Sequence, residues 1–336
     1  MRVLLMETTK IGKDGLLMLG IDVGSVSVNI ALLDSKAAIV EEEYIRHLGR
    51  PLQAVRDGVA KLLATIPSER IGLVATTGAG GKLLAELLDA AHVNEVVAQA
   101  KATAVLHPEV KTIIEIGGED SKLIFMEHKG GAEPTMADFN MNTMCAAGTG
   151  SFLDQQASRL GVTIEKFSEM ALGSERPPRL AGRCSVFAKS DMIHLQQKAT
   201  PTEDIIAGLA FAMARNFKST VGSARDFEQP IAFQGGVAAN KGMIRAFESV
   251  LNLEPGSLII PKHFASMGAI GAVLHISDSG NGRGFLGLQK LDGFLAHQSE
   301  ITLDTNLKPL HQTGDRAPYA VHDAPPLSTD GQRIPA

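Results

Sequence analysis

Two segments of the sequence align with each other at an offset of 93 residues. "GIDVGSVSVNIALL" overlays "IIEIGGEDSKLIFM", so that Asp22 matches Glu115 and Gly24 matches Gly117. Each copy reads as a strand, an acidic residue, a glycine turn and a second strand. Glycine hairpins also recur by chance, but two copies that each open a series of strands and helices favour a duplicated unit. The repeat predicts two similar domains whose hairpins face each other across a cleft suited to a phosphate chain.

The rest of the chain alternates between strand and helix patterns. Apolar runs such as "GLLMLGID", "IGLVATTG" and "IAFQ" are typical of buried strands, and several end at glycine turns. Apolar residues recur at helical spacing in four longer segments, at about 51–66, 81–91, 151–160 and 202–224. Alternation of this kind predicts an α/β fold with mixed sheets flanked by helices.

The order of these elements divides the chain into two domains and a tail. We assign residues 15–108 to the first domain and residues 109–264 to the second, with a helix at about 265–276 completing the first. Small residues in "SMGAIGAV" would let that helix pack closely. Residues 277–336 contain the linker-like "SDSGNGRG" and end in a stretch rich in Pro, Gly and Asp, which predicts a linker and a flexible C-terminal tail.

Composition and charge argue against several classes of function. The 336 residues have a formal net charge of −5, no Trp and no basic run, so the sequence offers neither an electrostatic footprint nor an aromatic platform for nucleic acid. The longest apolar runs have the length of strands, which argues against a membrane-spanning helix. Two cysteines in so long a chain favour a reducing, cytoplasmic setting over a disulfide scaffold.

The acidic residues and glycines of the repeat have the chemistry of a nucleotide site. Glycine lets backbone N–H groups approach phosphate oxygens, and carboxylates can hold the water shell of Mg²⁺. We therefore assign catalytic roles to Asp22, Glu115 and Asp120, with Asp22 and Glu115 holding Mg²⁺ through water. A third element, "IAFQGGVAAN", would admit the base or ribose. Any one of these turns could be only structural, but the three in this order favour a nucleotide site. The candidate nucleotide-binding residues are Gly24, Ser25, Val26, Ser27, Gly117, Gly118, Gly235, Gly236, Val237, Ala238 and Asn240.

The two cysteines stand in glycine-marked segments, Cys145 in "NTMCAAGTGSF" and Cys184 in "AGRCSVFAKSD". Two thiolates do not complete a zinc site or an iron–sulfur cluster, which take four ligands, but two chains related by a two-fold axis would supply four. A helix is predicted to begin near Gly148 or Thr149, and its free N–H groups would then face an anionic cluster. On the residues alone, buried apolar cysteines, a disulfide and a redox-sensing thiol stay open as alternatives.

The ordered motifs "GIDVGS", "IGGED" and "GGVAAN" resemble those of the acetate and sugar kinase/Hsp70/actin superfamily, which implies duplicated actin/Hsp70-like (ribonuclease H-like) domains around an interdomain nucleotide cleft. With "CAAGTGSFLD" and "GRCSVFAKSD" between the second and third motifs, residues 17–274 resemble the ATP-dependent activators of 2-hydroxyacyl-CoA dehydratases. Two positions differ from that family's pattern. The family often has Asp where Glu115 stands, and its compact members carry an acidic residue in place of Lys189. The second difference indicates one domain of a large multi-domain activase, or a stand-alone version of one.

The resemblance implies an ATPase coupled to electron transfer at low potential. It implies one [4Fe–4S] cluster, held by Cys145 and Cys184 from both chains of a homodimer, and ATP or ADP with Mg²⁺ in the cleft. The electron donor would be ferredoxin or flavodoxin, and the acceptor a 2-hydroxyacyl-CoA dehydratase or a related double-cluster reductase. The alternatives are a small-molecule kinase, which would phosphorylate a sugar or an acid in the same cleft without iron, and a nucleotide-gated binding module.

Overall fold

The computed structural model of the protein describes residues 15–142, 148–181, 185–223 and 225–303. The described residues up to Leu295 belong to one unit that contains two β-sheets and the helices around them. Residues from Ala296 belong to a second unit, of which the described part is the end of the last helix. No helix among the described residues is long and apolar enough to cross a membrane.

The first sheet has five strands in the order β3-β2-β1-β4-β5. β1 and β2 form the hairpin of the first repeat copy, and β4 pairs in parallel with the other side of β1. Nearly all residues of β1, β2 and β4 are buried, whereas the edge strand β3 is largely exposed and carries three successive glutamates, which discourage pairing with another chain. The strands are β1 (Leu17–Val23), β2 (Ser27–Leu33), β3 (Ile39–Arg46), β4 (Ile71–Thr77) and β5 (Ala91–His92).

The second sheet repeats this plan with four strands in the order β8-β7-β6-β9. β6, β7 and β8 form an antiparallel meander, as β1, β2 and β3 do, and β9 pairs in parallel with β6, as β4 does with β1. The duplication inferred from the sequence is therefore present in the strand topology. The strands are β6 (Thr112–Ile116), β7 (Ser121–Glu127), β8 (Thr135–Asn142) and β9 (Ile231–Gln234).

Helices pack against both sheets. The helices expected near residues 51, 81, 151, 202 and 267 are all present, and in the described part of the chain five further helices lie between or after them. The helices are α1 (Pro51–Leu63), α2 (Gly81–Leu88), α3 (Glu95–Leu106), α4 (Gly150–Arg159), α5 (Ile164–Leu172), α6 (Ser185–Gln197), α7 (Thr202–Thr220), α8 (Lys241–Val250), α9 (Met267–Ser279) and α10 (Gln289–Leu303).

Helix α9 packs closely against β1 and α3. The approach is close because its glycines have no side chain to separate the backbones. A Cβ added at Gly271 would lie 1.7 Å from the Ala98 carbonyl oxygen of α3. We expect the Gly271→Ala substitution to lower the free energy of unfolding by about 3 kcal/mol, since overpacking against backbone forces the two helices apart. Urea unfolding measures this effect. Gly293→Ala, at an exposed position of α10 with nothing within 4 Å, is the matched control and should not destabilise the protein. Equal unfolding midpoints for the two variants would contradict the packing argument.

Part of the predicted C-terminal tail packs against the first sheet. Phe285 donates its backbone N–H to the Ile71 carbonyl, and the side chains of Phe285 and Leu291 are buried in the core of that sheet. The expectation of a linker from residue 277 is thus corrected up to Leu295, because the apolar residues of "FLGLQKLDGFL" remove surface from water there. The tail from residue 304 lies outside the described residues. The division of the larger unit into two domains stays a prediction, since both sheets belong to that unit.

Candidate functional site

The turns of the two repeated hairpins line one cavity of roughly 700 Å³. The catalytic candidates Asp22, Glu115 and Asp120 lie on its wall, and so do all the candidate nucleotide-binding residues except Ala238. Ala238 is buried in the core of the second sheet, because the short helical turn Gly236–Ala239 directs it inward, and Ala239 lines the cavity instead. The structure therefore gathers residues that are far apart in sequence at one site.

The registers of the two hairpins pair each repeat acid with a polar residue. Asp22 lies opposite Asn29 in the first hairpin, and Glu115 lies opposite Lys122 in the second. Asn29 and Lys122 are related by the same offset of 93 residues and are both buried beside the cavity. Lys122 was not recognised from the sequence, although the tight turn between Glu115 and Lys122 places it opposite the acid.

Lys122 is the cation of a buried acidic cluster. Its Nζ lies 2.8 Å from Glu115 Oε2, 2.9 Å from Asp120 Oδ1 and 3.5 Å from Glu95 Oε1, and its side chain is 3% exposed. Burial alone would lower the pKa of Lys122, but these three carboxylates outweigh burial and raise it above its usual value. Lys122 is therefore a fixed positive charge in a site with an excess of carboxylates.

Two carboxyl groups of this cluster hold their protons more tightly than usual. Burial, reinforced by the charge of Glu95, raises the pKa of Asp22 to about 7 despite the opposing effect of Lys122. Burial also raises the pKa of Glu115 to about 7, although Lys122 lowers it in part. A site with this surplus of carboxylate oxygens suits a hard, oxygen-preferring cation such as Mg²⁺. Among the described residues no group of three or more His, Cys, Asp or Glu has the arrangement of a direct metal site.

Two glycines outside the repeat make room for the Asp22 carboxylate. A Cβ on Gly78 would lie 2.3 Å from Asp22 Oδ1, and a Cβ on Gly268 would lie 2.2 Å from Asp22 Oδ2. Gly78 also has a φ of +84°, which side chains rarely adopt. These positions were not recognised from the sequence, because neither belongs to a repeated motif.

The third glycine element, after β9, has two distinct glycines. Gly235 has a φ of +85°, and a Cβ there would lie 2.4 Å from the Ile116 carbonyl oxygen, so this glycine lets β9 approach the second hairpin. Gly236 has nothing within 4 Å of its Cβ position and faces open space. Asn240 lines the cavity but also caps α8, because its Oδ1 accepts the Met243 N–H.

The remaining wall of the cavity comes from elements that carry no repeat motif. Arg46, at the end of β3, forms an ion pair with Asp154 of α4, which joins an edge of the first sheet to a helix on the second. α5 and the start of α8 complete the wall. The residues missed by sequence analysis that line the cavity include Arg46, Glu95, Gln99, Lys122, Asp154, Ile164, Glu165, Ser168, Glu169 and Lys241.

A comparison with protein families decides the kind of protein to which this site belongs. Residues 19–275 match the BadF/BadG/BcrA/BcrD ATPase family. The chain belongs to that family. Because the family is one of ATPases, the chain is an ATPase.

Named relatives in this family are similar over most of their length. The 2-hydroxyisocaproyl-CoA dehydratase activator of Clostridioides difficile is 31% identical over 263 residues, covering 77% of this chain and 94% of the relative. The (R)-2-hydroxyglutaryl-CoA dehydratase activating ATPase of Acidaminococcus fermentans is 32% identical over 262 residues, covering 76% of this chain and 95% of the relative. A solved activator of the 2-hydroxyisocaproyl-CoA dehydratase from Clostridium difficile with bound ADPNP superposes with a TM-score of 0.70 at 29% identity, covering 79% of this chain and 96% of that one. The actin/Hsp70-like fold expected from the sequence is confirmed.

In this BadF/BadG/BcrA/BcrD-family ATPase, helix α4 is attached to the second hairpin. Its first two backbone N–H groups, of Gly150 and Ser151, donate to the carbonyls of Gly117 and Gly118 at 2.9 and 2.8 Å. The expectation that the first N–H groups of this helix would be free to face a cluster is therefore wrong for these two donors, because the hairpin carbonyls accept them. Cys145 and Cys184 lie outside the described residues.

Proposed function

We propose that this protein is an ATP-hydrolysing activator that delivers a low-potential electron to a 2-hydroxyacyl-CoA dehydratase or a related double-cluster reductase. The observation that carries the proposal is the single cavity lined by the acidic turns of both repeated hairpins. Its support comes from the ATPase family and from relatives that are named dehydratase activators. The same relatives favour this function over a small-molecule kinase.

The nucleotide would lie with its phosphates between the two hairpins. The backbone N–H groups of Ser25–Ser27 and of Gly118 and the Ser25 hydroxyl would bind phosphate oxygens. The N–H groups of Gly24 and Gly117 donate to the Ser27 and Asp120 carbonyls of their own turns, so these two glycines would instead allow close approach of the phosphates. Asp22 and Glu115 would hold Mg²⁺ through water, and Asp120 would orient the attacking water. Gly236 and the residues of α5 would border the nucleoside. Lys122 would keep the carboxylates in place and offset their charge as the triphosphate enters.

The two cysteines would hold a [4Fe–4S] cluster together with those of a second chain. Such a cluster takes four thiolates, and Cys145 and Cys184 are the only two cysteines of the sequence, so one chain supplies half of the set. When bound, the cluster supplies one low-potential electron, obtained from ferredoxin or flavodoxin and given to the partner enzyme.

Helix α4 would connect the nucleotide site physically to Cys145. Cys145 precedes the start of α4 by five residues, and the first turn of α4 is bonded to the phosphate-binding Gly117 and Gly118. A change of hairpin position on hydrolysis would therefore move the start of α4. A nucleotide can drive such a change only by binding one arrangement more tightly than the other.

Anaerobic purification of the full chain tests the proposal. We expect a brown homodimer with about four irons and four sulfides per dimer, a slow ATPase activity, and cluster reoxidation that requires both ATP and a dehydratase of the kind the relatives activate. Iron and sulfide analysis, light scattering and phosphate release measure these properties. A colourless protein that transfers phosphate from ATP to a sugar or an acid would support the kinase instead, and a monomer that stays metal-free after reconstitution would contradict the shared cluster.

A further inference from the structure

The turn of the first hairpin is hydrogen-bonded by one histidine, His47. His47 follows β3, is half-buried, and contacts the turn twice. Its Nε2 lies 3.2 Å from the Gly24 carbonyl oxygen, and its backbone N–H donates to the Val26 carbonyl at 3.2 Å. We infer that His47 is a positioning residue for the phosphate-binding turn Gly24–Ser27, an inference that rests on the proposed ATP site.

The hydrogen bonds around His47 define its tautomer. The Gly49 N–H donates to Nδ1 at 3.1 Å, so Nδ1 carries no proton and acts as an acceptor. The neutral ring then has its proton on Nε2, which is the nitrogen that faces the Gly24 carbonyl. His47 therefore donates to the turn, and Gly49 fixes the ring in the orientation that this donation requires.

The contact between His47 and Gly24 orients one backbone donor of the turn, the Ser25 N–H, toward the cavity. A trans peptide is planar, and its N–H points away from its C=O. A Gly24 carbonyl directed at His47 therefore directs the Ser25 N–H to the opposite side, and Ser25 lines the cavity. Because glycine rotates easily about its backbone bonds, the Gly24 peptide needs such a restraint to keep one orientation.

In the second hairpin the corresponding carbonyl, that of Gly117, is held by a different hydrogen bond. Gly24 corresponds to Gly117 in the repeat, and the Gly117 carbonyl accepts the first N–H of α4, at Gly150. Both turns thus have the same carbonyl fixed by a hydrogen bond, one to a side chain and one to a helix N-terminus. This equivalence argues that the restraint serves the phosphate turns and is not an accident of packing in one of them.

Three substitutions at His47 distinguish the effect of the Nε2 hydrogen-bond donor from the effect of the rest of the imidazole ring. Gln places an amide N–H near the position of Nε2, whereas Asn places its amide near Nδ1 and does not reach Gly24. We expect His47→Ala and His47→Asn to weaken ATP binding by about fivefold to tenfold and His47→Gln by no more than about twofold, as fits the loss or retention of one part-buried hydrogen bond. Adenosine, which has no phosphate, should bind all three variants as it binds the wild type. Dissociation constants are measured by displacement of a fluorescent ATP analogue.

His128→Ala is the matched control, since the Nε2 of His128 also lies near a backbone carbonyl, that of Pro108, at a position that does not line the cavity. It should change neither constant. The inference would be overturned if the His47 substitutions weakened the binding of ATP and of adenosine equally. It would also be overturned if His47→Gln bound ATP as weakly as His47→Asn. If His47→Ala fails to fold, the comparison of Gln with Asn still decides. A wild type that binds adenosine as tightly as ATP would instead contradict the proposed function.

Discussion

The Asp22→Asn variant is expected to lose ATP hydrolysis by about a hundredfold or more, and yet to be more stable than the wild type when unliganded above pH 7. The first effect follows from the proposed role of Asp22 in holding Mg²⁺ beside the phosphates. The second follows from its surroundings, since its carboxyl lies in a glycine cradle beside Glu95 and Asp120 and loses most of its hydration there. Activity and stability should therefore change in opposite directions.

The direction of the stability effect comes from proton binding. The pKa of Asp22 rises from 3.8 to about 7 in the folded protein, so the folded state binds more protons than the unfolded state between these values. The carboxyl thus destabilises the fold progressively as pH rises from about 4 to 7, and fully above 7. A neutral Asn removes that penalty, which we put at about 2 kcal/mol because the group borders an open cavity. Urea unfolding at pH 5 and pH 8 measures the change, and phosphate release measures the activity.

Asp226→Asn is the control for this experiment. It makes the same change of charge at an exposed loop residue and should alter neither the pH dependence of unfolding nor hydrolysis. Greater loss of stability in Asp22→Asn at pH 8 than at pH 5 would show that the Asp22 carboxylate stabilises the unliganded protein, contrary to the electrostatics of the cluster. Unchanged hydrolysis would remove Asp22 from the catalytic residues.

The duplicated hairpins were predictable because each is encoded locally. A glycine turn between two apolar runs specifies a strand pair within some 15 residues, and the spacing of the acid from the glycine places it at the end of the strand. Asp22, Glu115 and all the candidate nucleotide-binding glycines therefore line the cavity, as expected. Ala238 does not, because a helical turn gives successive residues different directions and a motif alone does not fix which one faces the ligand.

Helix α3 and the residues that it contributes to the cavity could not be predicted from the periodicity of apolar residues in the sequence. α3 packs against α9 and against strands of the second sheet, and most of its side chains are buried, so it has no polar stripe opposite an apolar one. Glu95, at its first position, joins the acidic cluster only through this long-range packing. The same reason explains Gly78 and Gly268, whose importance is apparent only once Asp22 lies between them.

The Cys145→Ser and Cys184→Ser variants are expected to lose the iron of the protein while keeping its ATP site. Each substitution removes two of the four thiolates from a symmetric dimer, and the remaining pair cannot hold a [4Fe–4S] cluster. Iron should fall from about four per dimer to a small fraction of that value, and ATP-dependent electron transfer to the dehydratase should fall below detection. Iron analysis and the visible spectrum of anaerobically reconstituted protein measure the loss.

Binding of ATP should survive in both variants, because the carboxylates and turn glycines proposed to bind Mg²⁺ and phosphate belong to the two hairpins and are unchanged by either substitution. His194→Ala is the control for ligand loss, since His194 is an exposed potential ligand on the helix after Cys184 and should leave the iron content unchanged. Full iron in either serine variant would refute its cysteine as a ligand. Iron lost together with ATP binding would indicate a folding defect. Iron lost alone would separate the two halves of the proposed function, because an ATPase with an intact cleft and no cluster can hydrolyse nucleotide but has no electron to deliver.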